Sequence, residues 1–365
     1  MADPGSDKPR VVKGDQKFDL TLEQFRERFL ARFNDPEFET QVPEDLERVL
    51  AVAWEAYHDY RKNPRVRKAG PGFSEPERNL PVEWLDTRQR ILDAERRQKD
   101  AATPSRILVI NGSARTDQSC PGEISKTYRL SKIAEGTIAT EQGFEVDFLD
   151  LSALTAEYGR VIFPCKACVS TAQPLCHWPC SCYPNHALGQ VNDWMSELYP
   201  RWTAAHGVMI LCPVNWYQAP SVLKLMIDRL VCADGGNPDP TTTHGKDPAL
   251  AKEIELRGWD YPKHLAGRAF SVVVHGDAAG TENLRRILVD WLKDLELIPA
   301  GPHSGLDRYL GYYQPYATSH DDLDKDTDLQ EEVRHTALTL CETVRQIRSG
   351  HYQRPDKGLE DPRKK

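Results

Sequence analysis

The sequence predicts a doubly wound α/β domain, a parallel five-stranded sheet with helices on both faces, carrying an N-terminal helical extension. Three observations predict it. From Ser105 onward, short apolar runs alternate with helix-length amphipathic stretches, the pattern of βαβ units. The runs are near-continuous in Val, Ile and Leu, as expected for strands buried on both faces. Polar, glycine-bearing loops follow three of these runs directly, where such sheets bind ligands.

The elements follow in order. Residues 1–20 read as a disordered tail, and 21–104 as a helical extension packing on the core or on a partner subunit. Thr21 and Gln24 form a capping box, with Leu22, Phe25, Phe29 and Phe33 on one helical face. A second helix from Pro43 carries Leu46, Val49, Leu50, Ala53, Trp54 and Tyr57. The Pro-, Gly- and charge-rich NPRVRKAGPGFSEPERNLP reads as a linker or extended arm. A third helix is expected over about Pro81 to Lys99. Residues 105–350 form the main domain. RILVIN, FEVDFLDL, GVMILCP and RAFSVVVHG are its strands, with a weaker fifth near Glu296–Pro302. Helices are expected from about Ile124 to Glu141, over SVLKLMIDRLV, through Leu284, Ile287, Leu288, Trp291, Leu292 and Leu295, and over about Leu329 to Ile347. Residues 351–365 read as a flexible tail.

Composition narrows the function. The chain has 365 residues and a net charge of −8, which disfavours nucleic acid as a partner. No apolar run approaches the roughly eighteen residues of a membrane span, and MADPGSDKPRVVKGDQK lacks a secretory apolar stretch. A soluble, cytoplasmic protein is expected. Thiols stay reduced there, which bears on the nine cysteines.

The loop NGSARTDQSCPGEISKTYRL sets Gly-Ser and Arg115 after a strand and ends in Ser-Lys-Thr opening a helix. Helix-terminal amides and small hydroxyls suit a phosphate, but neither GxGxxG nor GxxxxGK[ST] is present. CPVNWYQAPSVLKLMIDR places large aromatics at a strand end, suited to flanking a planar ring or to forming a hydrophobic lid. HGDAAGTENL offers glycines that permit close backbone approach.

Together these loops resemble the NADPH-dependent FMN reductase family of flavodoxin-like flavoproteins, over roughly residues 105–300. The best matches are NGSAR, ISKT, PVNWYQAPSVLKLMIDR and HGDAAG. The resemblance implies that Ser113, Arg115, Ser125, Lys126 and Thr127 hold the FMN phosphate. Extra residues in the first loop leave Ser119 as the alternative to Ser125, which is favoured by its place at the helix start. Pro213, Val214, Asn215, Trp216 and Tyr217 would lie along the isoalloxazine. His275, Gly276, Asp277 and Gly280 would contact its pyrimidine side. The resemblance also implies hydride transfer from NAD(P)H through flavin N5 to a quinone, flavin, nitro or azo compound or metal ion, with no catalytic side chain strictly required. A homodimer or homotetramer is implied as well. The segment GLDRYLGYYQPY reads equally as substrate lining or as a packed surface loop.

PCKACVSTAQPLCHWPCSC remains. Its Cys165, Cys168, Cys176, Cys180 and Cys182 allow an iron–sulfur cluster, zinc, a redox thiol pair, or no metal. Iron–sulfur flavoproteins resemble this chain in carrying cysteines there. Their compact C-x2-C-x2-C spacing is not met, because Thr171 stands where the third cysteine would be. The resemblance keeps a second reading open, an iron–sulfur flavoprotein or flavodoxin-like carrier acting between proteins.

Overall fold

The computed structural model describes residues 20–58, 65–119, 122–183, 192–276, 279–310, 315–355 and 357–358. In the N-terminal region, α1 (Leu22–Leu30), α2 (Pro36–Gln41) and α3 (Pro43–His58) come first. Thr21 caps α1 through the expected box with Gln24. Phe25, Leu50 and Ala53 are buried together, whereas Leu22 and Val49 face solvent. The segment expected to be a linker instead forms an antiparallel ribbon of β1 (Val66–Lys68) and β2 (Asn79–Pro81). Its loop buries Phe73 against Trp84 of α4 (Val82–Lys99). The apolar Phe73 supplies the anchor that Pro and Gly content obscures.

The sheet comprises β3 (Ser105–Asn111), β4 (Phe144–Asp150), β5 (Gly207–Pro213), β6 (Ala269–Gly276), β7 (Ile298–Pro299) and β8 (Gly305–Tyr309). The spatial order is β4-β3-β5-β6, with β7 and then β8 both pairing with β6, and every pairing is parallel. The fifth strand is therefore split: only Ile298–Pro299 falls in the expected range. Its longer half lies in the segment read as substrate lining or surface loop, of which residues 311–314 lie outside the described residues.

Alternation along the strands builds two cores. Ile107, Val109, Met209, Leu211, Ala269 and Val273 face α5 (Lys126–Ala139) and α12 (Thr327–Arg348). Leu108, Ile110, Val208, Ile210, Phe270, Val272 and Val274 face α7 (Met195–Ala204), α8 (Ser221–Arg229) and α10 (Thr281–Asp294). On α10, Leu284, Leu288 and Leu292 are buried, but Ile287 is left exposed. Between α8 and β6 the chain makes an excursion through α9 (Pro248–Leu256) that no apolar periodicity signalled, while the short α6 (Ala153–Ala156) follows β4 and α11 (Ser319–Lys325) precedes α12. Among the described residues, no helix is long and apolar enough to cross a membrane.

One buried ion pair ties the long β4–α7 connection to this core. Arg229 Nη2 lies 2.5 Å from Asp193 Oδ2, with both side chains almost fully enclosed. Arg229 Nη1 also donates to the Phe163 carbonyl at 2.9 Å. Breaking one half of such a pair strands the other charge. Arg229→Met is expected to lower stability by about 3–5 kcal/mol, read from the urea midpoint; a loss below 1 kcal/mol would show that the pair contributes little.

Candidate functional site

The first loop is fixed by backbone crossing. Asn111 is buried and donates from Nδ2 to Asp150 Oδ1 at 2.8 Å, while its Oδ1 accepts from Ser113 N at 3.3 Å. Gly112 N donates to Leu211 O at 2.8 Å. A Cβ there would stand 2.9 Å from Cys212 Cβ and 3.1 Å from Leu211 O, so only glycine fits. Ser113 Oγ accepts from Arg115 N at 3.1 Å. Arg115 Nε donates to Glu123 O at 3.1 Å. Its Nη2 is buried with no hydrogen-bond partner among the described residues, and the Glu123 carboxylate stands 3.5 Å away. That carboxylate balances the charge without a hydrogen bond to Nη2, and a bound anion would supply one. Ser125 caps α5 by accepting from Tyr128 N at 3.0 Å. Lys126 and Thr127 then supply first-turn amides, which have no intrahelical acceptor. Ser119 is occupied elsewhere, closing its own turn with Thr116.

The second loop carries the aromatic pair. Val214 N donates to His275 O at 2.9 Å, extending the β5–β6 ladder past Pro213. Asn215 and Gln218 exchange backbone hydrogen bonds of 2.9 and 3.0 Å across Trp216 and Tyr217. Those two central residues have φ of 46° and 66°. A two-residue turn left-handed at both central positions favours Asn and Gly, and each bulky residue there costs roughly 1–2 kcal/mol. Trp216 is nevertheless 93% exposed and Tyr217 59%. Backbone strain of this kind clusters at active sites and ligand clamps.

The third loop leans on the other two. Gly280 has φ 112°, and a Cβ on it would stand 3.1 Å from Tyr217 Cα. The buried His275 shares a hydrogen bond of 2.7 Å between Nε2 and Thr127 Oγ1. Burial, with Lys126 adding to it, pushes the His275 imidazole down to about 3, so the ring is neutral. Thr127 and His275 are thus turned toward each other, joining α5 to β6. Gly276 O accepts from Leu310 N at 2.9 Å. Asp277 lies outside the described residues.

These contacts bring the first, second and third loops to one edge of the sheet. The arrangement fits a phosphorylated, planar-ringed ligand: an anion seat at Arg115 and α5, and an aromatic rim at Trp216–Tyr217. Asn111 and Gly112 were not singled out from sequence, although a glycine directly after a buried strand is a legible signal of close backbone approach. A separate groove of about 350 Å³ between α4, α7 and the loop after β4 shares no residue with these loops.

The cysteines occupy the β4–α7 connection. Cys168 Sγ lies 3.9 Å from Cys182 Sγ, and Cys168 also meets Cys176, as Cys180 meets Cys182. The neighbouring Cys176 thiol, aided by burial, pushes Cys168 up to about 11. Cys165 stands apart, its sulfur accepting from Ala167 N at 3.4 Å. His177 is fully used, with Nδ1 on Ser181 Oγ at 2.5 Å and Nε2 on Thr243 Oγ1 at 2.9 Å. Among the described residues, no three His, Cys, Asp or Glu side chains are arranged as a formed metal site.

Two outcomes follow from this geometry. Gly280→Ala is expected to cost about 1–2 kcal/mol from its left-handed backbone, seen as a lower melting temperature; an unchanged melting temperature would contradict the strain. His275 binds a proton more readily unfolded, near 6.5, than folded, near 3. Its stabilising contribution is therefore complete above pH 6.5 and is lost as pH falls toward 3, with a slope up to about 1.4 kcal/mol per pH unit. His275→Asn is expected to flatten acid destabilisation in that window; an unchanged slope in pH-dependent urea unfolding would contradict the assignment.

The chain is 25% identical to an iron-sulfur flavoprotein of Methanosarcina thermophila over 243 residues, covering 66% of this chain and 96% of that one. Among solved structures, it resembles RosB with a bound intermediate (TM-score 0.45, 14% identity, 68% of this chain and 82% of that one). It also resembles the azoreductase AzrA (TM-score 0.39, 10% identity, 64% of this chain and 99% of that one). Residues 105–303, which contain all three loops, match the family model described as NADPH-dependent FMN reductase, and the chain belongs to that family.

Proposed function

We propose that the three loops bind FMN and that the protein is an NAD(P)H-dependent oxidoreductase reducing a small acceptor, such as a quinone, flavin, nitro or azo compound or metal ion. The observation that carries this reading is the strained, exposed Trp216–Tyr217 turn at the end of β5, with Arg115 in the loop after the neighbouring β3 holding an Nη2 that makes no hydrogen bond among the described residues. When bound, FMN supplies the hydride and electron chemistry at its N5.

The roles of the residues in this proposal are those the family resemblance implies. Arg115, Ser113 and the start of α5 at Ser125, Lys126 and Thr127 hold the phosphate against a helix N-terminus. Pro213, Val214, Asn215, Trp216 and Tyr217 lie along the ring. The backbone N–H groups of Trp216 and Tyr217 favour extra negative charge on the ring. His275, Gly276, Asp277 and Gly280 flank the pyrimidine side, with the neutral His275 adding no charge of its own. The exposed Trp216 leaves a face open to the nicotinamide and then to the acceptor. A homodimer or homotetramer completing that face, in the cytoplasm, belongs to this proposal.

The second reading is an iron–sulfur flavoprotein, or a flavodoxin-like carrier, passing electrons between proteins. The contiguous thiols favour a further centre among Cys165, Cys168, Cys176, Cys180 and Cys182, with an iron–sulfur cluster or zinc as its occupant.

Anaerobic addition of NADPH or NADH to the FMN-loaded protein decides between turnover and carriage. Bleaching of the flavin absorbance, restored by a quinone or azo dye over many cycles, is expected. A loaded protein that neither coenzyme bleaches would rule out the NAD(P)H-dependent enzyme.

A further inference from the structure

The extra residues that lengthen the first loop bring a carboxylate with them. Glu123 lies just before α5, and its Oε2 stands 3.5 Å from Arg115 Nη2 and 3.1 Å from His320 Nδ1. His320 comes from α11, far along the chain. That helix is fixed against α5. Its Leu323 is buried in the same core as Leu130, and Arg129 Nη1 donates to both Asp324 carboxylate oxygens, at 2.6 and 2.7 Å.

Neither Arg115 nor His320 depends on that carboxylate for its place. Arg115 Nε donates to the Glu123 backbone carbonyl at 3.1 Å, and His320 Nε2 donates to the next carbonyl, Ile124 O, at 2.9 Å. Two consecutive carbonyls of one loop thus aim a guanidinium and an imidazole at a common point, and the Glu123 carboxylate fills it. With Nε2 donating to a carbonyl, the ring also donates from Nδ1 only when doubly protonated, and that form presents an N–H to any anion at this point. The Glu123 side chain is 50% exposed, so it can turn to solvent without carrying its charge inward. A phosphate oxygen and a carboxylate held this close together repel, so the two do not share the point.

Resting on the reading of the first loop as a phosphate seat, we infer that the Glu123 carboxylate is a built-in stand-in for the phosphate. FMN displaces it, and His320 then donates to the phosphate beside Arg115. One anion replaces another, and no covalent bond changes. Glu123 therefore sets how strongly the seat prefers a phosphorylated flavin, and α11 supplies one of the phosphate's ligands.

The test is fluorescence titration of the full chain, freed of flavin, at one fixed pH. Glu123→Gln keeps the backbone carbonyl and the side-chain shape but removes the charge. It is expected to bind FMN about fivefold more tightly than the native chain, the scale of one partly exposed ion pair. Riboflavin affinity should stay within about twofold. The dissociation constant of inorganic phosphate, obtained by competition with FMN, should fall by the same factor. Adding His320→Gln to that variant should weaken FMN about tenfold, as for loss of a hydrogen bond to a charged group, and leave riboflavin alone. A gain in affinity does not arise from a damaged fold, and circular dichroism melts check the double variant. Weaker or unchanged FMN binding in Glu123→Gln, or tightening shared equally by riboflavin, would overturn the displacement. A double variant that binds FMN as tightly as Glu123→Gln would overturn the role of His320. A native chain that binds FMN no better than riboflavin would overturn the phosphate seat itself, and this inference with it.

Discussion

Parallel strand pairing is the constraint on which the rest of this molecule depends. Because β4, β3, β5 and β6 all run the same way, every strand delivers its following loop to one edge. Between β3 and β5 the winding reverses: α5 covers one face, and α7 and α8 cover the other. The loops after β3 and β5 therefore leave the sheet at its topological switch point, where sheets of this kind bind ligands. Hydrogen bonds from Gly112 to Leu211 and from Val214 to His275, with Thr127 on His275, fix the loops there relative to one another. The same neutral imidazole latches α5 to β6 and adds no positive charge of its own beside Arg115 and Lys126.

Helix α8 links the two chemically loaded regions. It starts directly after the Trp216–Tyr217 turn and ends at Arg229, which grips Asp193 and the Phe163 carbonyl. The aromatic rim and the cysteine loop are thus attached to opposite ends of one nine-residue rod. The left-handed strain in the turn is tolerated because both flanks are anchored, by the Asn215–Gln218 bridge and by the β5–β6 ladder. Anchoring of this kind is what lets a surface remain shaped before its ligand arrives.

Much of this was legible in the sequence, and the misses have physical causes. Buried parallel strands announce themselves as apolar runs, so β3, β4, β5 and β6 were found nearly to the residue. The fifth strand was not, because β7 has two residues and β8 reads GLDRY, whose polar side chains suit an edge position. Ser125 was recognisable as a cap, since helix starts have local chemistry. The left-handed Trp216 and Tyr217 were not, because nothing in those residue types signals positive φ. The pairing of Lys246 with Cys168, across 78 positions, is tertiary information that spacing alone does not carry. Conversely, Leu22, Val49 and Ile287 continue apolar stripes yet face solvent. Periodicity gives the helix but overstates the width of its buried face.

The central claim is that the first loop and the start of α5 form a phosphate seat. Comparing FMN with riboflavin, in the native chain and in Arg115→Met, tests it most directly. By fluorescence titration, the native chain should bind FMN at least tenfold more tightly than riboflavin. Arg115→Met should abolish most of that difference while leaving riboflavin affinity within about twofold, as expected for losing one hydrogen bond to a charged group of about 1.5–3 kcal/mol. Equal affinity for the two flavins in the native chain, or equal weakening of both in the variant, would contradict the account.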